Sequence, residues 1–242
     1  VSTNARWTLV LTVNNDYMDF LINFMHWFLK LKLDIAVTVI AEDLTALESL
    51  RKLKLPENVV VRASDLIVQS APSGAWNTPN YNKIVSKRPH YILDMLKLGT
   101  RVLYADIDSV WLSSPLSYWD EQADIMFGID IKNKDGTFNY CSGLMFVKPN
   151  ERTINFFESW QNRQQSTARN QHVFVRMIKE HSELRKKILP VTEFPSGYHY
   201  FKQNKKSGAV VVHNNYIQGH KNKLSRFKKY SLWKDYIVQP GD

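Results

Sequence analysis

The chain has 242 residues, 44% of them hydrophobic and 23% charged. That length suits one α/β domain with an ample core, and the composition excludes a disordered or low-complexity chain. A formal net charge of +9 favours polyanionic partners, while the single cysteine, Cys141, excludes an intrachain disulfide and a cysteine-based zinc site.

Trp7 to Val13 is an apolar, β-branched run ending at Asn14-Asn15-Asp16, which reads as a buried strand entering a loop. From Tyr17 to Leu33 apolar residues recur at helical spacing, with Asp16 as N-cap. Asn23, His26, Lys30 and Lys32 interrupt its apolar face, and the run falls short of the roughly 20 residues a bilayer span needs. No cleavable signal is evident, and any anchor is expected outside this sequence.

A second buried strand covers Ile35 to Ile40 and ends at Ala41-Glu42-Asp43. A helix follows over Leu44 to Leu53, then a third strand over Val59 to Arg62. This β-α-β-α-β order is half of a doubly wound sheet. Residues 63–82, with Pro72, Gly74 and Pro79, read as a long loop of the kind that forms lids, and they carry Trp76. The next helix starts near Pro89 and runs to Leu98, with Gly99 at its C-cap. A strand over Val102 to Ala105 leads into Asp106-Ile107-Asp108. Further strands are expected over Ile125–Ile129, Leu144–Val147 and Val210–Val212, and helices over Thr153–Arg163 and Gln171–His181. Regular pattern is lost after about Pro190. The positive excess is late: Lys202, Lys205, Lys206, Lys221, Lys223, Arg226, Lys228 and Lys229. A solvated basic tail is the ordinary reading of such a run.

An α/β nucleotide site usually cradles phosphates with glycines, yet the chain has neither G-x-G-x-x-G nor a P-loop. Carboxylates holding a divalent cation are the alternative. Residues i and i+2 of a strand point to one side, so Asp106 and Asp108 can converge on one hard cation, Mn(II) or Mg(II). Their place at a strand's carboxyl end is where open α/β sheets bind ligands. An isolated D-x-D is ordinarily an exposed turn. Here an apolar strand leads in and Val110-Trp111-Leu112 leads out, which is unlike a surface turn.

The stretch from Leu98-Gly99 through Val102-Leu103-Tyr104-Ala105-Asp106-Ile107-Asp108 to Trp111-Leu112 and Pro115 resembles the central signature of the nucleotide-diphospho-sugar transferases of glycosyltransferase family 77. Thr12-Val13-Asn14 is similar to that family's first strand end, Ser142-Gly143 to its serine-glycine strand, and Val212-His213-Asn214 to its C-terminal histidine segment. The resemblance implies a GT-A type fold, a Rossmann-like mixed sheet flanked by helices in a single domain. A nucleotide-binding half would span about 7–112 and an acceptor-side half about 113–242. It implies a retaining transferase that uses a UDP-sugar donor and a glycan, glycoprotein or small hydroxyl acceptor, with no nucleic-acid partner. Relatives work in the Golgi lumen behind an N-terminal anchor; cytoplasm is the alternative.

On that resemblance Asp106, Asp108 and His213 are the metal ligands. Asp108 and His213 are the sharper choices, because Asp106 has the alternative of facing the ribose. Thr12, Val13, Asn14, Asp106, Ile107, Ser142 and Gly143 would meet the donor, and Lys87 its diphosphate. His220 and Lys221 form a basic flap or belong to a solvated tail. Asp43 faces the ribose or caps a helix. Asp130, Asn170 and Gln171 are the catalytic candidates, with Asp130 alternatively a surface loop acid, although the family usually has Asp-Gln where this chain has Asn170-Gln171. An asparagine cannot act as a carboxylate nucleophile, which leaves a non-catalytic binding protein of the same fold as the second reading.

Overall fold

Trp7–Val13 forms β1, and its alternation sorts side chains to two sides of the sheet: Leu9, Leu11 and Val13 enter one core cluster, Val10 the other. The computed structural model describes residues 6–69, 79–132, 138–164 and 170–238. In order follow α1 (Met18–Lys30), β2 (Ala36–Asp43), α2 (Leu44–Lys52), β3 (Val59–Val68), α3 (Pro79–Val85), α4 (Arg88–Lys97) and β4 (Arg101–Ala105). Then come β5 (Ser109–Trp111), β6 (Ile125–Lys132), β7 (Phe138–Val147), α5 (Glu151–Arg163), α6 (Asn170–Glu180), β8 (Lys186–Ile188), β9 (Val211–His213) and α7 (His220–Lys229).

Seven strands make one mixed sheet in the order β3-β2-β1-β4-β7-β6-β8, with helices on both sides as expected. β3, β2, β1 and β4 run parallel, β7 is antiparallel to β4 and β6, and β8 is parallel to β6. β2 and β4 flank β1 on opposite sides, so the carboxyl ends of β1 and β4 frame the crevice where the strand order reverses, the ligand position of open α/β sheets. One core cluster joins α1 and α2 to β5, β9 and α7; the other joins α4, α5 and α6 to the opposite side. Trp111 and Trp160, both fully buried, are core residues. Among the described residues no helix is long and apolar enough to cross a membrane.

Four local expectations need correction. Asp16 is not the N-cap of α1: a 3-10 turn over Asn15–Tyr17 precedes the helix, whose N-cap is Tyr17. The supposed loop is partly ordered, because β3 continues to Val68 and α3 begins at Pro79; Pro72, Gly74 and Trp76 lie outside the described residues. Val110 and Trp111 belong to a strand, β5, whose partner β9 lies far along the sequence. The region after Pro190 is structured, with a π-turn over Tyr198–Lys202 before β9 and α7. The helix ends read from glycine and proline do form: Pro89 lies in the first turn of α4, and Gly99 at φ 75° follows its C-cap Leu98.

Candidate active site

Asp106 and Asp108 sit in the turn between β4 and β5, so strand alternation is not what converges them. The backbone does it. Asp106 N donates to the Gly143 carbonyl at 2.8 Å, tying the turn to β7, and Asn214 N donates to the Asp108 carbonyl at 2.8 Å, tying it to the β9 end. Ser109 Oγ closes the turn on the Asp106 carbonyl at 2.8 Å. In the β5–β9 register Ser109 faces His213, which brings the imidazole alongside the carboxylates. His213 Nε2 lies 3.2 Å from Asp108 Oδ1 and 3.7 Å from Asp106 Oδ2. The three side chains can each offer one atom to a common ion, all within 4.8 Å of one another.

Gly143 makes this approach possible. A Cβ there would run into Asp106 Oδ2 and stand 2.6 Å from His213 Cε1. Its φ lies outside the left-handed region, so space, not backbone freedom, demands glycine.

Two cations hold the carboxylates. Arg88 Nη2 donates to Asp106 Oδ1 at 2.6 Å, and its Nη1 reaches Ser142 Oγ at 2.6 Å and Asn170 Oδ1 at 3.2 Å. Lys223 Nζ, from α7, donates to Asp108 Oδ2 at 2.5 Å. Burial alone would raise the Asp108 carboxyl, but Lys223 and His213 outweigh it and hold it far below the usual carboxylate range. Burial alone would lower His213; the Asp108 charge outweighs it and holds the imidazole well above its ordinary value. Burial opposes the charge on Lys223 and Arg88 as well, yet Asp108 and Asp106 respectively keep both raised.

A cleft of about 820 Å³ opens beside it. Thr12, Val13 and Asn14 from the β1 end line one wall, Asp106, Ile107 and Asp108 another, and Tyr17, Tyr81, Arg88 and Lys223 contribute the rest that matters here. Burial pushes the Tyr81 hydroxyl up to about 12, so it stays a neutral donor. Lys87 does not line the cleft: it pairs with the lining residue Glu42 at 2.7 Å and reaches Ser64 at 3.1 Å. Burial pushes the Glu42 carboxyl up against the pull of Lys87.

The other expected residues fall into three groups. Ser142 and Asn170 meet on Arg88, with Ser142 Oγ 3.3 Å from Asn170 Oδ1. Asp130 accepts from Gln171 Nε2 at 2.6 Å and Asn215 Nδ2 at 2.5 Å, forming a separate polar node. Three residues are occupied elsewhere or solvated. Asp43 caps α2 through Ala46 N at 2.7 Å and also accepts from Asn15 N at 3.1 Å. His220 lies 2.9 Å from Asp19, with its ring edge-on to Tyr17 and Phe20, and Lys221 is exposed. Cys141 is buried; its Sγ lies 3.5 Å from His213 Nδ1, and burial pushes the thiol up to about 11.

Arg88, Lys223, Tyr17 and Tyr81 were not legible as site residues, since a basic or aromatic residue in sequence does not declare what it faces. One signal was available. Residues 194–234 carry nine Lys and Arg and no Asp or Glu, while the rest of the chain carries 23 of each sign. The whole net charge therefore resides in the segment that delivers His213 and Lys223.

Residues 33–227 match the family described as nucleotide-diphospho-sugar transferase. Among curated proteins the chain is 29% identical over 254 residues to UDP-D-xylose:L-fucose alpha-1,3-D-xylosyltransferase 3 of Arabidopsis thaliana, covering 93% of this chain and 66% of that protein. It is 26% identical to UDP-galactose:fucoside alpha-3-galactosyltransferase of Dictyostelium discoideum, covering 93% of this chain but 42% of that one. The chain thus spans just under two thirds of the plant protein. Among solved structures, a glycosyltransferase involved in the glycosylation of the major capsid of PBCV-1 superposes with a TM-score of 0.60 at 10% identity, over 93% of this chain and 99% of that one. The galactosyltransferase LgtC, in complex with donor and acceptor sugar analogs, gives 0.55 at 12%, over 97% and 98%. At such identities the likeness speaks for the fold.

Proposed function

The chain belongs to the nucleotide-diphospho-sugar transferase family, and from that premise we propose that it moves xylose or galactose from its UDP-sugar to a hydroxyl of a fucose-bearing glycan, with retention of configuration. The donor and acceptor classes come from the names of its relatives. The observation that carries the reaction class is the convergence of Asp106, Asp108 and His213 on one point, with the two carboxylates lining the cleft at the β1–β4 crevice.

Two carboxylate oxygens and one imidazole nitrogen suit Mn(II), and Mg(II) less well because of the nitrogen. The bare carboxylates already draw a cation, Lys223, and the missing side chain at Gly143 leaves the ligands room to close. The residues therefore fit a divalent ion, which when bound would supply Lewis-acid stabilisation of charge on the departing diphosphate.

Arg88, Lys223 and the neutral Tyr81 hydroxyl, all lining the cleft, supply fixed donors for the diphosphate oxygens. Thr12, Val13 and Asn14 form the wall for the nucleoside. Asp130 with Gln171, and Ser142 with Asn170, offer hydrogen bonds to sugar hydroxyls. Both Asp130 oxygens are engaged by amides, which makes it a poor nucleophile. Retention then proceeds on one face: the acceptor oxygen bonds to C1, the C1–O bond to phosphate breaks with its electron pair leaving on UDP, and the hydroxyl proton passes to the departing phosphate oxygen. A Golgi setting follows from the family resemblance, and fractionation of the full-length protein tests it.

The direct experiment supplies UDP-xylose or UDP-galactose with Mn(II) and a fucoside and follows released UDP. Asp108→Asn should lose at least about a hundredfold in turnover. Equal turnover by the variant would overturn the assignment, and UDP binding without turnover by the unmodified chain would favour the binding protein that Asn170 keeps open.

A further inference from the structure

The imidazole of His213 divides two environments. Its Nε2 faces Asp106 and Asp108; its Nδ1 faces Cys141. Tyr216 lies on the Cys141 side: it follows Asn215, whose Nδ2 donates to Asp130 Oδ1 at 2.5 Å and lies 4.0 Å from Cys141 Sγ. It is 39% exposed, one of few large apolar side chains left in solvent among the described residues. Its backbone stands at φ 55°, the left-handed region that a bulky aromatic residue avoids. Asparagine or glycine would occupy that backbone with less strain.

The surroundings enforce the conformation. Asn215, immediately before, donates to Asp130 Oδ1 at 2.5 Å and accepts from Gly197 N at 2.7 Å through Oδ1. Its carbonyl accepts from Arg226 Nη2 at 2.5 Å and sits so close to Gly197 that no Cβ fits there. The ring is then set 5.9 Å from that of Tyr198, at 53°. A strained aromatic residue that gains little burial in return is a feature kept for what it touches.

We infer that Tyr216, flanked by Tyr198, is the platform on which the acceptor sugar stacks, and that it selects the apolar face of a 6-deoxyhexopyranoside. This rests on the reading of the cleft as a sugar-transfer site. A pyranose presents a C–H face to an aromatic ring, and a C6 methyl extends that face where a hydroxymethyl group would add a polar group needing a partner. Stacked there, the sugar lies beside Asp130, the carboxylate that the preceding residue, Asn215, holds at 2.5 Å.

The test uses the full chain with Mn(II), UDP-xylose or UDP-galactose, and two probes that differ by one oxygen, methyl α-L-fucoside and methyl α-L-galactoside. In the unmodified protein the fucoside should have the lower KM. Tyr216→Gly relaxes the backbone, so the thermal midpoint should hold or rise. Its fucoside KM should nevertheless rise about tenfold and its preference between the probes vanish, with the Kd for UDP within about twofold. Tyr216→Trp should keep both the KM and the preference. An unchanged fucoside KM in Tyr216→Gly, a UDP Kd that moves in step with KM, or no preference in the unmodified protein each overturns the platform. Failure of the unmodified chain to consume either UDP-sugar defeats the transferase reading instead, which separates the two.

Discussion

Gly143→Ala is the smallest change that tests the geometry of the metal cluster. The added methyl would overlap Asp106 Oδ2, stand 2.6 Å from His213 Cε1 and 3.1 Å from Asp106 Cγ. Neither neighbour retreats freely: Asp106 is held by Arg88 at 2.6 Å, and His213 is backed by Cys141 at 3.5 Å. Forcing a methyl into such a space costs about 1–3 kcal/mol. At roughly 2–4 °C per kcal/mol for a chain this size, Tm in EDTA should fall by about 2–12 °C. Displacing two ligands should weaken Mn(II) binding by about 10- to 100-fold, the effect of disturbing the groups that orient ligands. Thermal denaturation and Mn(II) titration followed by electron paramagnetic resonance measure the two effects. Adding His213→Ala removes one of the clashing groups, so the double variant should recover about 0.5–3 kcal/mol relative to additivity. Wild-type Mn(II) affinity in Gly143→Ala would refute the placement of these ligands.

Lys223→Met strips the ammonium from buried Asp108 and should cost about 3–5 kcal/mol without metal, most of it recovered on adding Mn(II); a metal-induced gain in Tm no larger than wild type's would count against the cluster. The raised His213 value gives a pH test in EDTA: the stability it contributes is full below about 6.5 and is lost as pH rises through its folded-state value. Tm should therefore decline from neutral toward alkaline pH, and His213→Gln should flatten that decline. Asp124, fully buried, accepts from Arg152 at 2.7 Å and 2.8 Å and from Asn150 at 2.9 Å, which together with Arg185 overcome burial and hold its carboxyl below the usual range. Asp124→Asn should cost about 2 kcal/mol at neutral pH, discounted because both arginines are part-exposed. The contribution exists above about pH 4 and fades as pH falls, so acid denaturation curves of the two proteins should converge.

The central strands were legible because β1, β2 and β4 are buried on both sides and read as unbroken apolar runs. β8, with all three residues exposed, carries no such signal. β5 is specified by a partner about a hundred residues away, which no local pattern records. α7 escaped notice because only Phe227 is buried along its length; contacts rather than periodicity hold it. Asp16 and Asp43 both precede helices, yet only Asp43 caps, because the chain spends a 3-10 turn between Asp16 and α1. In the site, the D-x-D and the late histidine were readable as types. The spacing argument behind them was not the operative one, since a turn pinned by Gly143 and Asn214 converges the acids. Lys87 and Arg88 are adjacent and alike in charge, and only the fold shows that Arg88 faces the cleft while Lys87 faces Glu42.

The segment bearing His213 and Lys223 returns to the far end of the chain: Lys234 N donates to Asn23 Oδ1 across 211 residues, Trp27 Nε1 to the Leu232 carbonyl across 205, and Lys223 meets Asp108 across 115. Closing such long loops adds little entropy per extra residue but slows folding, because distant contacts must await the rest. The parallel strands that frame the crevice need none of these contacts. The crevice can thus form early in folding, with Asp106 already held by Arg88 and Asp108 still lacking Lys223, while docking of the late segment completes the ion-binding cluster. Capture of Mn(II) during refolding would then mark completion of the molecule, a clock for its slowest event.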